Sequence, residues 1–343
     1  MRQQRESWEE THAMAFEAKL FGRTRLGKYQ HCLELIEANS RLAPLWERVC
    51  LALFAGAGPP LGKLFGVDTS ENWARADRII ADVLAVTGSS ADEIARHLRR
   101  YVRLRKEHDD HLPLDEARGA IYDQPFYPVV THVTYALQPS ATARLNFVRE
   151  VVRGLRAPGG EVADLGCGSG VILSEILLMK REWMGCGLDI SPQSVAYARR
   201  LAAHKGVGGR ATFQTGCVTK LPYADESLNL VIASEVVEHM PEPEVVISEI
   251  TRVLRPGGQL ILTMPIESST PAHAHTLGGR EDLRALLRGA GLRVRRLEPR
   301  WHLGFGDDRR HVFALAEAPR PGDYASPDAV HNFSNAFLEP LRD

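Results

Sequence analysis

The sequence predicts an α/β fold: a mostly parallel sheet flanked by helices, preceded by an all-helical N-terminal domain. Three observations predict it. Apolar residues recur at three- and four-residue intervals through roughly the first 120 positions. From Thr142 onward, short apolar runs alternate with helical stretches, and the first of those runs ends in a glycine-rich turn, Asp164-Leu-Gly-Cys-Gly-Ser-Gly170. Helices lying between successive strands require crossover connections, which make the strands parallel and bury both faces of the sheet.

In chain order, Leu42, Leu45, Trp46, Val49, Cys50, Leu53 and Phe54 form one apolar stripe on a helix, and Ala55 to Pro60 (AGAGPP) ends it. Asp68-x-x-Glu71 and Ser90-x-x-Glu93 have the form of capping boxes, in which side chains satisfy the free amides of a helix start. Behind the first, Trp73, Ile79, Ile80, Val83 and Leu84 face inward; behind the second, Ile94, Leu98, Tyr101 and Val102 do. Residues 119–140 are rich in aromatics and proline without a clean period, and read as the join to the next domain. The expected domains are therefore 1–140 (helical), 141–318 (α/β) and a C-terminal tail, 319–343, given no structure.

The α/β part reads as a helix at 142–155, a strand from Glu161 to Leu165, the glycine turn, and a helix at 171–181. A strand from Met184 to Ile190 and a helix at 192–204 follow. Further strands are Ala211 to Thr215, Leu228 to Ser234 and Gln259 to Met264, with a helix at 243–254 between the last two. A helix at 281–290 precedes an antiparallel pair, Arg293 to Glu298 with His311 to Glu317.

Bulk composition narrows the function. Apolar residues make up 44% and charged residues 25% of 343 positions, an ordinary globular balance. Lys plus Arg number 42 against 43 Asp plus Glu, so the basic excess that phosphate backbones select for is missing and nucleic acid is not the expected partner. The five cysteines form no C-x-x-C pair and no metal-ligand spacing, and read as reduced thiols of a cytoplasmic protein. The N-terminal residues lack the apolar core of a secretion signal. The longest apolar stretch, near Val49 to Gly58, is about half of the ~20 residues that cross a bilayer, so no membrane role is expected.

Glycines at 166, 168 and 170 let the backbone turn tightly after a strand and approach a ligand at a helix N-terminus. Asp189, nineteen residues beyond Gly170 at the end of the second strand, stands where a carboxylate accepts hydrogen bonds from ribose hydroxyls. With G-L-D-I-S (187–191), L-P-Y-A-D-E-S-L-N-L-V-I-A-S-E-V-V-E-H-M (221–240) and R-V-L-R-P-G-G-Q-L-I-L-T-M-P (252–265), the chain resembles the Rossmann-fold, class I S-adenosylmethionine (SAM)-dependent methyltransferases over residues 144–318. The resemblance implies a Rossmann-like seven-stranded sheet with its last strand antiparallel, and SAM as cofactor. It implies that Asp164, Gly166, Cys167, Gly168 and Gly170 shape the pocket for the methionine and ribose portions. It also implies that Asp189 holds the ribose diol, that Ile190 packs on adenine, and that Ser234 and Glu235 lie near the methionine end. The R-P-G-G turn at 255–258 is implied to be a structural reversal. Many family members carry an acid where this chain has Cys217. A thiol is a weak acceptor, so adenine is expected to rest on the Val218 backbone and apolar stacking.

Ser234-Glu-Val-Val-Glu-His-Met240 has two readings. In one, Glu235, Glu238 and His239 form a metal site completed by His273 or His275, similar to the small-RNA 2′-O-methyltransferases. In the other, which the missing basic excess favours, no metal is bound; Glu238 and His239 line an acceptor pocket and His239 serves as general base. Tyr122, Phe126 and Tyr127 either face the sulfonium, where aromatic rings attract a cation, or join the two domains. The expected activity is methyl transfer from SAM to a small-molecule acceptor, with specialised (natural-product) metabolism as the expected setting and the helical domain as cap and lid. The expected catalytic residues are His239, Glu235, Tyr122 and Tyr127. Two alternatives remain. One resembles the azetidine-2-carboxylate synthases, which cyclise SAM itself and release methylthioadenosine; the other is a non-catalytic SAM-binding regulator.

Overall fold

A computed structural model describes residues 70–90, 93, 94, 96, 97, 100, 122–137, 139–266, 279–301 and 310–321. The stripe at 42–54, Asp68 of the first capping box, Leu98, Tyr101 and Val102, His273 and His275, and the tail beyond 321 lie outside these residues. So does most of the expected cap.

Three helices come first: α1 (Ser70–Thr87), α2 (Tyr127–Leu137) and α3 (Pro139–Gly154). Alternation then gives β1 (Gly160–Leu165), α4 (Val171–Met179), β2 (Trp183–Asp189), α5 (Pro192–His204), β3 (Ala211–Thr215), β4 (Leu228–Ser234), α6 (Pro243–Val253) and β5 (Leu254–Ile266). The chain closes with α7 (Arg280–Gly289), β6 (Arg293–Trp301) and β7 (Arg310–Glu317). One sheet holds all seven strands in the order β3-β2-β1-β4-β5-β7-β6. The first five run parallel, and β7 lies antiparallel between β5 and β6. The order reverses between β1 and β4, so their C-terminal ends open a crevice, the place where such sheets bind ligands.

Alternation along the strands builds two cores. Val162, Leu230, Ile232, Ile261 and Phe313 face a layer of Val83, Val130, Val148, Leu173 and Tyr197 from α1 to α5. Their neighbours Ala163, Leu165, Val231, Leu260 and Leu262 face Val246 and Ile250 of α6 and Leu283 and Leu287 of α7. Helix starts follow local chemistry. Ser191 caps α5, its hydroxyl accepting from the Ser194 amide, and Pro192 occupies the first helical turn. The Ser90–Glu93 box forms in both directions, with the Ser90 amide donating to Glu93 at 2.7 Å and the Glu93 amide donating to Ser90 Oγ at 3.3 Å.

Two readings need correction. The segment taken as a join holds helix α2, whose Val129, Val130 and Val133 are buried in the first core. Its valines and threonines have low helix propensity, and packing against α1, α3 and α5 overrides that. The Arg-Pro-Gly-Gly reversal lies inside β5, not before it. Leu228 faces Leu254 while Leu230 faces Gln259, so the four residues loop out between two paired positions, with Gly257 at φ +77°.

His132 of α2 is buried, and burial pushes its imidazole down to about 3. Its Nδ1 meets the Tyr197 hydroxyl at 2.9 Å. The unfolded chain gains a proton below about 6.5 that the folded chain refuses, so stability falls with pH from 6.5 towards 3. Tyr197→Phe, which strands the ring nitrogen, is expected to lower stability by about 1 kcal/mol. Urea melts check it; an unchanged midpoint would show that the pair contributes nothing.

Candidate functional site

The glycine turn joins β1 to α4. Gly166, Gly168 and Gly170 all have left-handed backbones, with φ of +64°, +52° and +78°. A Cβ on Gly166 would stand 2.4 Å from Val236 Cγ2, and one on Gly170 2.8 Å from Ala198 Cβ, so neither position admits a side chain without displacement. The Cys167 amide donates to the Leu188 carbonyl at 3.0 Å, which ties the turn to the end of β2. There Asp189 accepts from the Gly168 amide at 2.8 Å through Oδ2 and from the Ser191 amide at 2.9 Å through Oδ1. Gly168 and Asp189 therefore share one cleft. Burial raises the Asp189 carboxyl, and the two amides pull it back.

Asp164, at the end of β1, is buried with its Oδ2 unpartnered. Burial, then the charge of Asp189, push this carboxyl up to about 8, while the Leu173 amide opposes them. The Cys167 thiol is buried and pushed up by burial, which makes it an inert wall of the turn. On the β2–β3 side, Ile190 is half-buried, Val218 is buried, and Cys217 is exposed with its Sγ 3.1 Å from Thr219 Oγ1.

The other side of the cleft is built on β4. Ser234 Oγ lies 2.9 Å from Thr263 Oγ1 on β5. Glu235 takes a left-handed backbone, φ +59°, uncommon for a side chain with a Cβ and a mark of local strain. That turn sends its carboxylate to His311 Nε2 at 3.0 Å and Thr263 Oγ1 at 3.2 Å, with Arg144 at 3.7 Å. Burial alone would raise the Glu235 carboxyl, but the His311 and Arg144 charges with the two hydrogen bonds hold it well below the ordinary range. Glu238, on the 3-10 turn Val237–His239, is buried with Oε2 unpartnered; burial and the Glu235 charge hold it well above. Two carboxyls three residues apart thus carry opposite protonation preferences.

Tyr122 closes over this edge. Its ring meets Tyr127 at 5.0 Å and His239 at 6.4 Å between centroids, both edge-on, and its carbonyl accepts from Ser191 Oγ at 2.9 Å. Tyr122 therefore bridges Tyr127, five residues on, and His239, more than a hundred residues away in sequence. Phe126 does not join them: it is buried in the first core, stacked on His97 at 6.2 Å with Arg100 at 5.4 Å over its ring. Among the described residues no group of three or more His, Cys, Asp and Glu has the arrangement to hold a metal ion.

Sequence reasoning missed Asp123, Tyr135, Arg144 and His311. Arg144 of α3 reaches Glu235 and leaves its buried Nε unpartnered; Tyr135 of α2, pushed up to about 12 mainly by burial, feels Arg144, Asp164 and Glu235 together. No local spacing marks these residues, because tertiary packing of α2, α3 and β7 brings them to the strand ends. Buried atoms without partners gather here: Asp123 Oδ1, Asp164 Oδ2, Glu238 Oε2 and Arg144 Nε. Acidic acceptors beside one cationic donor suit a ligand carrying an ammonium, a carboxylate and hydroxyls, which are the polar groups of SAM.

In sequence and in fold the chain is similar to methyltransferases. A family model described as a methyltransferase domain matches residues 157–281. An O-methyltransferase of Penicillium expansum, cnsE, is 31% identical over 199 residues, covering 51% of this chain and 72% of that protein. An arsenite methyltransferase of Halobacterium salinarum is 33% identical over 161 residues, covering 42% of this chain and 40% of that one. The chain spans between 26% and 44% of the length of the first curated relatives it matches. Among solved structures, phosphoethanolamine N-methyltransferase 2 of Haemonchus contortus, in complex with SAM, shares the fold with a TM-score of 0.51 at 14% identity, covering 61% of each chain.

Proposed function

We propose that this chain, which belongs to the class I SAM-dependent methyltransferases, transfers the methyl group of SAM to a small-molecule acceptor bound at the cleft edge that Tyr122 and Tyr127 line. The observation that carries the reading is the Gly168 amide on the Asp189 carboxylate, which holds the turn and the strand-end acid in one cleft at the switch point of the sheet. The P. expansum relative's name, O-methyltransferase, supports oxygen as the methylated atom. The even charge balance argues against a polyanionic acceptor.

SAM supplies a methyl group on a sulfonium, open to in-line attack. The protein's residues orient and enclose it. Asp189 receives the ribose hydroxyls, Ile190 and Val218 wall the adenine with Cys217 at its rim, and the glycine turn 166–170 passes close under the ribose and methionine portions. Asp164 faces the ammonium, and Arg144 Nε, an uncommon buried cationic donor, faces the carboxylate. Ser234 stands near the methionine end. Tyr122 and Tyr127 present aromatic rings towards the reacting centre and exclude water from it. His239, in ring contact with Tyr122, would accept the proton that the acceptor's hydroxyl gives up when the methyl group moves to its oxygen and the sulfonium C–S bond breaks. Glu235 keeps its charge through His311 and Arg144 and orients the strand end.

Incubation with SAM alone tests the reaction. S-adenosylhomocysteine formed only with an added acceptor is expected. Methylthioadenosine formed without one would replace methyl transfer by cyclisation of SAM, and tight binding with no turnover would favour a regulator. Loss of activity in EDTA would restore the metal reading of Glu235, Glu238 and His239.

A second test uses Asp164. With its carboxyl pushed up to about 8, it holds a proton at pH 7, and an ammonium beside it favours the ionised form. Binding of SAM at pH 7 is therefore expected to release close to one proton. Calorimetry in two buffers of different ionisation enthalpy checks it; equal heats would remove Asp164 from the ammonium.

A further inference from the structure

Beyond the strand-end acid Asp189, a second carboxylate meets the cleft from a different part of the chain. Asp123 follows Tyr122, whose carbonyl is held at 2.9 Å by the hydroxyl of Ser191. Ser191 also donates its amide to Asp189 at 2.9 Å. One serine thus ties the 122–123 segment and the Asp189 carboxylate to the same point at the end of β2. The Tyr122 ring, in edge contact with Tyr127 and with His239 beyond β4, carries the segment across the cleft mouth. Asp123 Oδ1 is shut off from solvent there and has no hydrogen-bond partner. Asp123 stands close enough for its charge to push the Asp189 carboxyl up.

We infer that Asp123 is a second cofactor ligand, a carboxylate delivered by the segment before α2 that accepts a hydrogen bond from a ribose hydroxyl of the adenosyl group opposite Asp189. This rests on the reading of the cleft as a SAM site. Each Asp189 oxygen already accepts one backbone amide, so the acid that the motif supplies is partly committed before a ligand enters. Two carboxylates facing one another are unfavourable unless donors come between them, and a vicinal diol brings two neutral O–H donors. An ammonium is less suited to this position, because Asp164, a buried acid with an unpartnered oxygen at the end of β1, is the group proposed above to face it. The arrangement also gives the 122–127 segment a role in binding: when its acid engages the ribose, the Tyr122 and Tyr127 rings are fixed over the reacting end.

The test is calorimetry on the full chain with two ligands, S-adenosylhomocysteine and its analogue lacking both ribose hydroxyls. Asp123→Asn keeps the shape and Asp123→Ala removes the group, with thermal melts to show that both fold. Asp123→Ala is expected to bind S-adenosylhomocysteine about 5- to 30-fold more weakly than the wild type, as befits one hydrogen bond to a charged acceptor, and Asp123→Asn, whose amide oxygen still accepts, to fall between the two. All three proteins are expected to bind the dideoxy analogue alike, because the hydroxyl that Asp123 reads is gone. Unchanged affinity for S-adenosylhomocysteine in the variants would overturn the inference and leave the SAM site standing. An equal loss for both ligands would assign Asp123 a structural role and overturn it too. Failure of the wild type to bind S-adenosylhomocysteine would remove the SAM reading and this inference together.

Discussion

Replacing Asp189 by alanine is expected to weaken SAM binding by about 1–3 kcal/mol, roughly 5- to 150-fold in dissociation constant. The carboxylate does two things at once. It accepts the Gly168 and Ser191 amides, which fixes the turn against the end of β2, and it offers its remaining lone pairs to the ribose. Alanine therefore removes a ligand contact and leaves two backbone donors to find water. Asp189→Asn is expected to fall between the two: its amide oxygen still accepts one N–H, while its NH2 opposes the other. Titration calorimetry with S-adenosylhomocysteine checks both, and an unchanged constant for the alanine variant would show that Asp189 does not touch the cofactor.

Gly170→Ala is expected to lower stability by about 2–5 kcal/mol and to abolish binding with it. At φ +78° any Cβ adds strain of roughly 1–2 kcal/mol, and this one would meet Ala198 at 2.8 Å from its Cβ and 3.1 Å from its Cα. Ala198 is in α5, wholly buried between sheet and helices, so relief requires a shift of backbone, an overpacking cost of about 1–3 kcal/mol. Gly206→Ala is the control. It has a similar φ, +71°, with nothing within 4 Å of the added carbon, so it is expected to show the strain alone. Urea midpoints separate the two; equal losses would mean that contact with α5 adds nothing to the requirement for glycine at 170.

The strands and helices most legible in sequence are those with local punctuation. Ser191 and Pro192 mark the start of α5, and 192–204, 211–215 and 228–234 fall on their observed bounds. The Gly168–Asp189 approach was legible because a strand, a turn, a helix and a second parallel strand leave the two little choice of position. Helix α2 was not, because Val129, Val130, Thr131, Val133 and Thr134 favour extended backbone and only burial against α1, α3 and α5 makes them helical. The same reason hid Tyr135 and Arg144, which α2 and α3 carry to the strand ends, and His311, which arrives on the antiparallel β7. Tyr122, Phe126 and Tyr127 looked equivalent in sequence. Packing separates them: the two tyrosines stay in contact at the cleft and the phenylalanine enters the core.

A crystal grown with S-adenosylhomocysteine tests the central claim most directly, since it reads where the ligand lies. The ribose hydroxyls are expected within hydrogen-bond distance of Asp189, with the glycine turn 166–170 beneath the ribose and methionine and the sulfur facing Tyr122 and His239. Density for the ligand elsewhere, such as the cleft that His132, Arg149, Ser174 and Lys205 line between the helices, would contradict the account.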